Sequence, residues 1–263
     1  MTWSIASWNV NSIAVRHPQV VEWLQSAQPT ILAIQETKVP DDKFPEALWE
    51  PLGYHHYFHG QKTYNGVALL SKTPLTDVQT LDIGEGQARV ITGYYQETLI
   101  VNVYVPNGAQ VDSDKFAYKR RFLAKLHQYL AKHKPSENPI VVLGDFNIAP
   151  FDIDVHDVAH WENSVLTCPT IRDDFNHLLD LGFTDTFHHH FPDDSNPDIN
   201  RFSWWDYRQA AFRRNMGLRI DLILASEALM PHNISVDIDK TPRSNDRPSD
   251  HTPVLATFGA YGA

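Results

Sequence analysis

Residues 141–147 read Val-Val-Leu-Gly-Asp-Phe-Asn, an apolar run that ends in a carboxylate and an amide. Such a run has the length and composition of a buried strand. Asp145 and Asn147 follow it directly, at the strand exit where α/β folds place ligands and catalytic groups. Towards the other end of the chain Asp250 precedes His251, and a histidine beside a carboxylate gains a fixed tautomer and greater basicity. Together these segments suggest a metal-assisted hydrolase.

Apolar runs elsewhere predict further strands, and amphipathic patterns predict helices between some of them. The predicted helices cover residues 18–27, 115–133 and 170–181, the last stopped by Gly182. Alternation of strands and helices indicates an α/β fold. Strands ending in Asn9 and Asn147 resemble each other, and two such units facing each other would make a two-sheet sandwich. The predicted strands cover residues 4–9, 31–35, 66–71, 89–95, 99–105, 140–144, 220–225 and 253–258.

Length and composition favour one large domain over residues 1–263, since 42% of the 263 residues are hydrophobic. No run approaches the ~18 apolar residues of a membrane span, and no signal peptide is visible at the N-terminus. The single cysteine, Cys168, excludes an intramolecular disulfide and a cysteine-rich zinc site. We therefore expect a cytoplasmic protein, and the composition is consistent with a monomer.

The net charge of −10 argues against a nucleic-acid partner on composition alone. A metal neutralises clustered carboxylates, however, and a local basic patch can persist in an acidic total. Residues 119–121, Arg213, Arg214 and Arg219 are candidates for such a patch. Residues 188–190 are three consecutive histidines, which cannot all face one metal on a regular element and are interpreted mainly as a solvated loop.

Polar residues recur at or just beyond the ends of the predicted strands. Any one of them alone is better explained as a turn former, a helix cap or a solvated side chain. The joint pattern of four carboxylates, two amides and a histidine favours a catalytic site on the loops that follow the strands. The set comprises Asn9, Glu36, Tyr104, Asp145, Asn147, Asp221, Asp250 and His251.

Each residue type in this set suits one task in phosphoester hydrolysis. Glu36 and Asn9 offer the hard oxygen ligands that Mg²⁺ or Mn²⁺ prefers, with water and substrate oxygens completing the shell. Asp145 is the candidate for orienting or deprotonating the attacking water, and Asn147 for holding that water or donating to a phosphate oxygen. Asp221 could buttress His251 and keep it cationic against a phosphate.

In its motifs the chain resembles the exonuclease III family of DNA-repair nucleases, within the wider endonuclease/exonuclease/phosphatase superfamily. The resemblance runs almost end to end. Single motifs occur across the superfamily, whereas the combination of Leu-Arg-Ile-Asp with Trp-Asp-Tyr-Arg looks specific to the DNA-repair branch. The motifs lie at residues 7–11, 34–38, 60–62, 66–68, 104–108, 144–148, 201–208, 217–221 and 249–251.

The resemblance implies a four-layer α/β sandwich, with two mixed β-sheets packed face to face, helices outside and the site between the sheets. It implies that Glu36 is the main metal ligand with Asn9 beside it, and that Asp250 helps the metal site or the water. Asp145 is then the general base or acid, Asn147 and Tyr104 contact the phosphate, and His251, oriented by Asp221, stabilises it.

The resemblance also suggests substrate contacts on double-stranded DNA with abasic sites or 3′ ends. Candidate phosphate contacts are basic, although each could equally be a solvated surface cation; they are Lys62, Arg89, Lys115, Lys119 and Arg208. An apolar pocket for a flipped abasic deoxyribose would be formed by Phe187, Leu218 and one of Trp204 and Trp205, with ordinary core packing as the alternative.

Members of the family divide between incision 5′ to abasic sites and processing of 3′ ends. Residues 163–171, around Thr167, depart from the small residues expected beside a freely entered duplex, so both activities stay open. Two other classes compete: a superfamily relative acting on a lipid or small phosphoester, and a catalytically inactive DNA-binding module. The aromatic, arginine-bearing segment 204–208 opposes the first alternative, and the filled catalytic positions oppose the second.

Overall fold

The computed structural model describes residues 2–261, which form twelve strands and five α-helices. The helices are α1 (Ile13–Ala27), α2 (Asp114–Ala131), α3 (Val158–Trp161), α4 (Pro169–Leu179) and α5 (Thr186–His190). The strands are β1 (Thr2–Asn9), β2 (Ile31–Gln35), β3 (His55–His59), β4 (Val67–Ser71), β5 (Thr76–Thr80), β6 (Val90–Tyr95), β7 (Thr98–Tyr104), β8 (Ile140–Asp145), β9 (Phe183–Asp185), β10 (Asp221–Ser226), β11 (Asn233–Ile238) and β12 (Val254–Gly259).

The strands build two mixed six-stranded sheets. The first has the order β11-β12-β1-β2-β4-β3, and the second has the order β5-β6-β7-β8-β10-β9. In each sheet one central pair is parallel, β1 with β2 and β7 with β8, and the flanking pairs are antiparallel. The ends of the two parallel pairs therefore place residues 9, 35, 104 and 145 at matching sheet edges.

Side chains alternate along the strands and so build three apolar layers. One buried cluster joins the inner faces of the two sheets, for example Ile31 of β2 and Val141 of β8. A second packs α1 on the outer face of the first sheet, and a third packs α2 and α4 on the outer face of the second. The predicted four-layer α/β sandwich is confirmed.

All three predicted helices are present, with shifted ends. α1 begins at Ile13 and contains Pro18 within it. α2 begins after Ser113, whose hydroxyl accepts a hydrogen bond from the Phe116 N–H and caps the helix. Gly182, the predicted stop of α4, adopts a left-handed φ of 99°. Within residues 2–261, no helix combines the length and apolarity that a membrane crossing requires.

The eight predicted strands are present to within a few residues, but β3, β5, β9 and β11 were not predicted. The histidine run is a further correction, because residues 188–190 lie in the short helix α5 rather than in a solvated loop. Asp185 caps that helix by accepting from the N–H groups of Phe187 and His188. His188 stacks on Phe151 at a ring distance of 3.9 Å, which explains why this histidine is partly buried.

A buried polar contact fixes the register between the two sheets. Asn102 of β7 donates to the carbonyl oxygens of Ile34 and Ala68 at 3.0 and 2.9 Å, and accepts from Gln35 Nε2 at 2.8 Å. Asn102 and Gln35 are fully buried, where unpaired amides would be costly. Gln35 directly precedes Glu36 in the first sheet, and Asn102 lies two residues before Tyr104 in the second. The contact between them therefore fixes the positions of Glu36 and Tyr104 relative to each other.

Candidate active site

Polar side chains from both sheets converge in one cleft of about 700 Å³. Tyr104 and Asp145 are register partners at the ends of β7 and β8, and Asp221 pairs with Asp145 from β10. Glu36 follows β2 on the other sheet. Asp221 lies behind the cleft and is fully buried. The cleft is lined by Glu36, Tyr104 and Asp145 together with Asn107, Asn147, Trp161, residues 163–166, Trp204, Asp206, Arg208, Ile220, Asp250 and His251, among others.

Glu36 and Asp145 share the amide of Asn9. The Asn9 Nδ2 donates to Glu36 Oε1 and to Asp145 Oδ2, both at 2.9 Å. Tyr104 donates its hydroxyl to Glu36 Oε1 at 2.9 Å, and Lys38 Nζ lies 2.7 Å from Glu36 Oε2. Burial opposes ionisation of Glu36, but the Lys38 ammonium and the Asn9 amide lower its pKa below the ordinary value. Glu36 is therefore a carboxylate at neutral pH.

Tyr104 remains a hydrogen-bond donor throughout the physiological range. Burial and the charges of Glu36 and Asp145 raise its pKa well above the usual value for tyrosine. The guanidinium of Arg89 packs 4.7 Å from the centre of its ring, and Arg89 Nη1 donates to the Tyr104 carbonyl at 3.0 Å. Arg89 therefore fixes the position of the Tyr104 ring and backbone.

Backbone strain is present at the ends of the central strands, as it is at other turns of the chain. Glu36 and Asn147 adopt left-handed φ values of 54° and 50°, a region that costs non-glycine residues about 1–3 kcal/mol. The Ser12 N–H donates to the Glu36 carbonyl at 2.8 Å, and the Asn147 N–H donates to Asp145 Oδ1 at 2.9 Å. These turns aim the Glu36 and Asn147 side chains into the cleft.

Asp221, His251 and Asp145 form a buried row. His251 Nδ1 lies 2.8 Å from Asp221 Oδ2, and His251 Nε2 lies 3.8 Å from Asp145 Oδ2. Burial alone would lower the pKa of His251, but Asp221 and Asp145 outweigh it and raise that pKa to about 10. Burial raises the pKa of Asp145 to about 7, against the opposing effect of His251. His251 is therefore an imidazolium whose Nε2–H faces the cleft. The contact between Asp221 and His251 Nδ1 is the one that the sequence predicted.

Asn147 is held by its own side chain and by a buried lysine. Its Nδ2 donates to the Val105 carbonyl at 3.0 Å, and its Oδ1 accepts from Asn107 Nδ2 at 2.9 Å. Lys119 Nζ donates to the carbonyl oxygens of Asn107, Asn147 and Val165 at 3.2, 2.6 and 2.7 Å. Three carbonyls match the three donors of an ammonium, so Lys119 joins three loops of the cleft.

Lys119→Met is expected to destabilise the fold. The substitution leaves buried carbonyls without their donor, and each such group costs about 1–3 kcal/mol, so we expect the free energy of unfolding to fall by several kcal/mol at most. Urea denaturation measures this. Lys132→Met, at an exposed position after the same helix, is the matched control, and equal stability of the two variants would contradict the role given to Lys119.

The donor set fits a hard divalent cation. Ligand atoms of Glu36, Asp145 and His251 lie within 4.8 Å of one another. The Glu36 and Asp145 carboxylate oxygens are the ligands that such cations prefer, whereas the protonated His251 has no free lone pair for a metal. Asn9 was predicted as a ligand, but its nitrogen faces the carboxylates while its Oδ1 accepts from the Asn11 N–H at 3.0 Å. In this arrangement Asn9 orients the two carboxylates.

Asp250, also predicted at the metal, lies at the rim of this cluster. Its Oδ1 accepts from Asn11 Nδ2 at 2.9 Å, and its Oδ2 accepts from Trp204 Nε1 at 3.0 Å. The pKa of Asp250 is lowered because His251, Trp204 and Asn11 together outweigh the effect of burial, which raises it. Asp250 thus links the Trp204 wall of the cleft to the carboxylate cluster.

Three of the residues predicted for the sugar pocket, Phe187, Trp205 and Leu218, do not line the cleft. Trp205 and Leu218 are fully buried, whereas the cleft is lined by their neighbour Trp204 and by Ile220. Trp204 pairs in isolated bridges with both Leu218 and His251, which turns its ring towards the site and that of Trp205 into the interior. Phe187 is wrong for this pocket as well, because it is buried beneath the guanidinium of Arg219 at 5.1 Å.

Three predicted surface cations are also buried. Arg219 lies between Asp154 and Asp185 with contacts of 2.7 and 2.8 Å. Lys119 and Arg89 are buried as described above. Their acceptors come from distant parts of the chain, so none of the three is free to meet a phosphate. Arg120 and Arg121 are exposed but pair with Asp174 and Glu85. The other predicted cations that remain exposed are Lys62, Lys115, Arg208, Arg213 and Arg214, and Arg208 is the one of these at the cleft.

The loop around Thr167 meets the cleft through other residues. Thr167 itself is turned inward and donates its hydroxyl to the Trp161 carbonyl. The cleft wall is formed instead by Trp161 and residues 163–166. The Trp161 ring meets that of Trp204 edge to face, with centres 6.1 Å apart. The bulk beside the pocket therefore comes from Trp161, a residue that the motifs did not indicate.

Other site residues were missed because they carry no distinctive pattern. Lys38 and Asn11 lie in the motifs around Glu36 and Asn9, and Lys38 Nζ donates to Asn11 Oδ1. Asn107 lies in the segment after Tyr104. Their proximity to recognised motif residues was the available signal, whereas the distance from Trp161 to Trp204 in sequence hid their contact.

Comparisons with known proteins agree with the fold and with the resemblance. A profile of the Endonuclease/Exonuclease/phosphatase family matches residues 6–251. The chain is 36% identical to exodeoxyribonuclease III of Haemophilus influenzae, over 96% of this chain and 98% of that protein. The structure superposes on a 3′ phosphatase, NExo, from Neisseria bound to a product DNA hairpin, with a TM-score of 0.92 and 40% identity over 98% of this chain and all of that one. It superposes on an AP endonuclease from Archaeoglobus fulgidus with a TM-score of 0.91 and 38% identity, again over 98% and 100%.

Proposed function

Because this chain belongs to the endonuclease/exonuclease/phosphatase family, we propose that it is a Mg²⁺-dependent DNA phosphodiesterase of the exonuclease III type that acts mainly at 3′ ends. The observation that carries the proposal is the buried row Asp221–His251–Asp145 facing Glu36 across one cleft. A cation, a general base and an imidazolium in that order suit the hydrolysis of a charged phosphodiester. The relatives' names support DNA as the substrate.

Asp145 is the base in this scheme. Three hydrogen bonds fix its carboxylate, from Asn9 Nδ2, from the Asn147 N–H and, at 3.3 Å, from Asn147 Nδ2. Carboxylate oxygens keep further lone pairs, so Asp145 can accept a proton from a water that lies between it and the phosphorus. Its pKa of about 7 suits proton transfer near neutral pH.

The other residues stabilise the charge of the phosphate. His251 donates from Nε2, and Asp221 holds the opposite ring nitrogen so that the cation faces the cleft. The neutral Tyr104 hydroxyl donates to Glu36 Oε1 at 2.9 Å and so orients the carboxylate that would hold the cation. Donors fixed before the reaction stabilise developing negative charge without reorganisation. When bound, a divalent cation at Glu36 would stabilise charge on the phosphoryl and leaving oxygens.

Two labelled duplexes test the proposal, with purified protein in Mg²⁺ and an EDTA control. One duplex has a recessed 3′ end, and the other carries an internal abasic-site analogue. We expect metal-dependent shortening of the recessed strand and slower incision of the abasic duplex. Cutting of neither duplex would refute the proposal and direct attention to lipid or small phosphoester substrates.

Trp161→Ala is expected to raise incision at the internal abasic site. The indole forms a wall of the cleft against Trp204, so its removal widens the space for a flipped deoxyribose. One favourable pocket contact changes rates by about 10- to 200-fold, and we expect an increase of about tenfold in kcat/KM on the abasic duplex. Trp49→Phe, which alters a buried tryptophan remote from the cleft, is the control. An unchanged abasic rate would show that Trp161 does not limit entry.

A further inference from the structure

A second cavity adjoins the catalytic cleft and has no part in the chemistry described above. It has a volume of about 260 Å³, and Trp161, Trp204, Asp206 and Arg208 line both spaces. Its remaining wall is formed by residues that do not reach the catalytic cleft: His156, His160, Gln209, Ala211 and Met216. The two spaces therefore adjoin at Trp161, Trp204, Asp206 and Arg208.

The walls are flat and aromatic. The His160 and His156 rings meet the Trp161 ring edge to face, at centre distances of 5.4 and 6.5 Å. The planar guanidinium of Arg208 is oriented by Asp206. Asp206 Oδ2 accepts from Arg208 Nη2 at 2.7 Å, and Asp206 Oδ1 accepts from Arg208 Nε at 3.0 Å. Aromatic rings and fixed guanidinium planes are the surfaces on which nucleobases stack.

Hydrogen-bonding groups surround these planes. Trp161 Nε1 is buried, yet it has no hydrogen-bond partner among residues 2–261. The atom has almost no accessible surface, so a ligand in the cavity would not contact it. Gln209 and His160 add an amide and an imidazole at the exposed side of the cavity. A planar ligand with polar groups on its edge fits the stacking surfaces and the accessible Gln209 and His160 side chains.

We propose that this cavity binds the nucleobase of the 3′-terminal nucleotide as that nucleotide is removed. The inference rests on the proposed function, because a deoxyribose beside Trp204 and Ile220 carries its base towards the adjoining space. The volume lies just below the ~300–1,000 Å³ of small-molecule pockets, which suits one heterocycle rather than a whole nucleotide. An abasic residue or a bare 3′-phosphate has nothing to place there, so the cavity contributes only to the removal of ordinary nucleotides.

The test compares two duplexes that differ only in the 3′-terminal residue, an ordinary nucleotide in one and a base-free tetrahydrofuran residue in the other. His160→Ala removes an exposed wall of the second cavity, and Met216→Trp fills it. We expect both variants to lower kcat/KM for the ordinary nucleotide by about five- to tenfold, the range for partial loss of one stacking contact, and to leave the base-free substrate unchanged. His177→Ala, on the exposed face of α4, should change neither rate.

The possible results separate this inference from the proposed function. A wild-type protein that cuts neither duplex refutes the proposed function. If the wild-type protein cuts both duplexes and His160→Ala leaves the ratio of the two rates unchanged, the base subsite alone is refuted. A selective loss on the ordinary nucleotide supports it, and thermal melting of Met216→Trp confirms that the folded variant was measured.

Discussion

Asp145→Asn is expected to abolish phosphodiester hydrolysis while DNA binding persists. The amide keeps the size of the carboxylate but cannot take a proton from the attacking water. General-base catalysis contributes about 10²–10⁴-fold, so we expect kcat to fall at least a hundredfold. The side chain is buried at the floor of the cleft, away from the exposed cations that would meet the phosphate backbone. Single-turnover cleavage gives the rate, and fluorescence anisotropy with a labelled duplex gives the affinity.

Asp174→Asn is the matched control for that experiment. Asp174 pairs with Arg120 on the outer helices, at 2.6 Å, so the same chemical change is made far from the cleft. We expect wild-type rates from this variant. Turnover by Asp145→Asn above a tenth of the wild-type rate would remove Asp145 from the role of base and leave His251 as the candidate for proton transfer.

Asp221→Asn is expected to lower kcat with little change in KM. Asp221 accepts from His251 Nδ1 at 2.8 Å inside the protein, and it is the first of the charges that raise the pKa of His251. An amide presents a neutral group that can turn its N–H towards the imidazole, so both the charge and the orientation of the ring are lost. Loss of one preorganised donor costs about 10²–10³-fold in kcat, and steady-state cleavage of the recessed duplex measures it.

Asp239→Asn provides the comparison for Asp221→Asn. Asp239 is partly buried, whereas Asp221 is fully buried. It likewise accepts a side-chain hydrogen bond, from Trp23 Nε1 at 2.8 Å, but on the opposite side of the first sheet. A fall in kcat of the same size in both variants would mean that Asp221 acts through general stability. A rise in KM without a fall in kcat would mean that His251 binds the ground state and the transition state equally.

The sequence predicts those parts of the fold in which apolar residues are continuous. The residues of β2, β4 and β8 are all buried, and such runs can be recognised without knowledge of their neighbours. The missed strands β5 and β11 lie at sheet edges and are largely exposed. Their pairing depends on the adjoining strand rather than on their own composition, so the sequence pattern gives little indication of them.

The site divides in the same way. Residues that directly follow buried strands, such as Glu36 and Asp145, are located by the strand itself. Trp204 and Trp205 are adjacent, and only the bridges to Leu218 and His251 determine which one faces the cleft. Lys119 and Arg219 look like surface cations because their acceptors come from residues 12 to 65 positions away. Contacts of that range are set by the packing of the whole chain.

The pairing of β1 with β12 has a consequence for synthesis on the ribosome. β1 is made first but lies inside the first sheet, with β12 as one of its two neighbours. His251 lies just before β12, so the carboxylates of a nascent chain have no imidazolium until residues 251–259 have been translated. Chains emerge from the amino end at about 5–20 residues per second. Under the proposed function, a chain that has not yet been translated to residue 251 lacks this imidazolium and is expected not to cleave DNA.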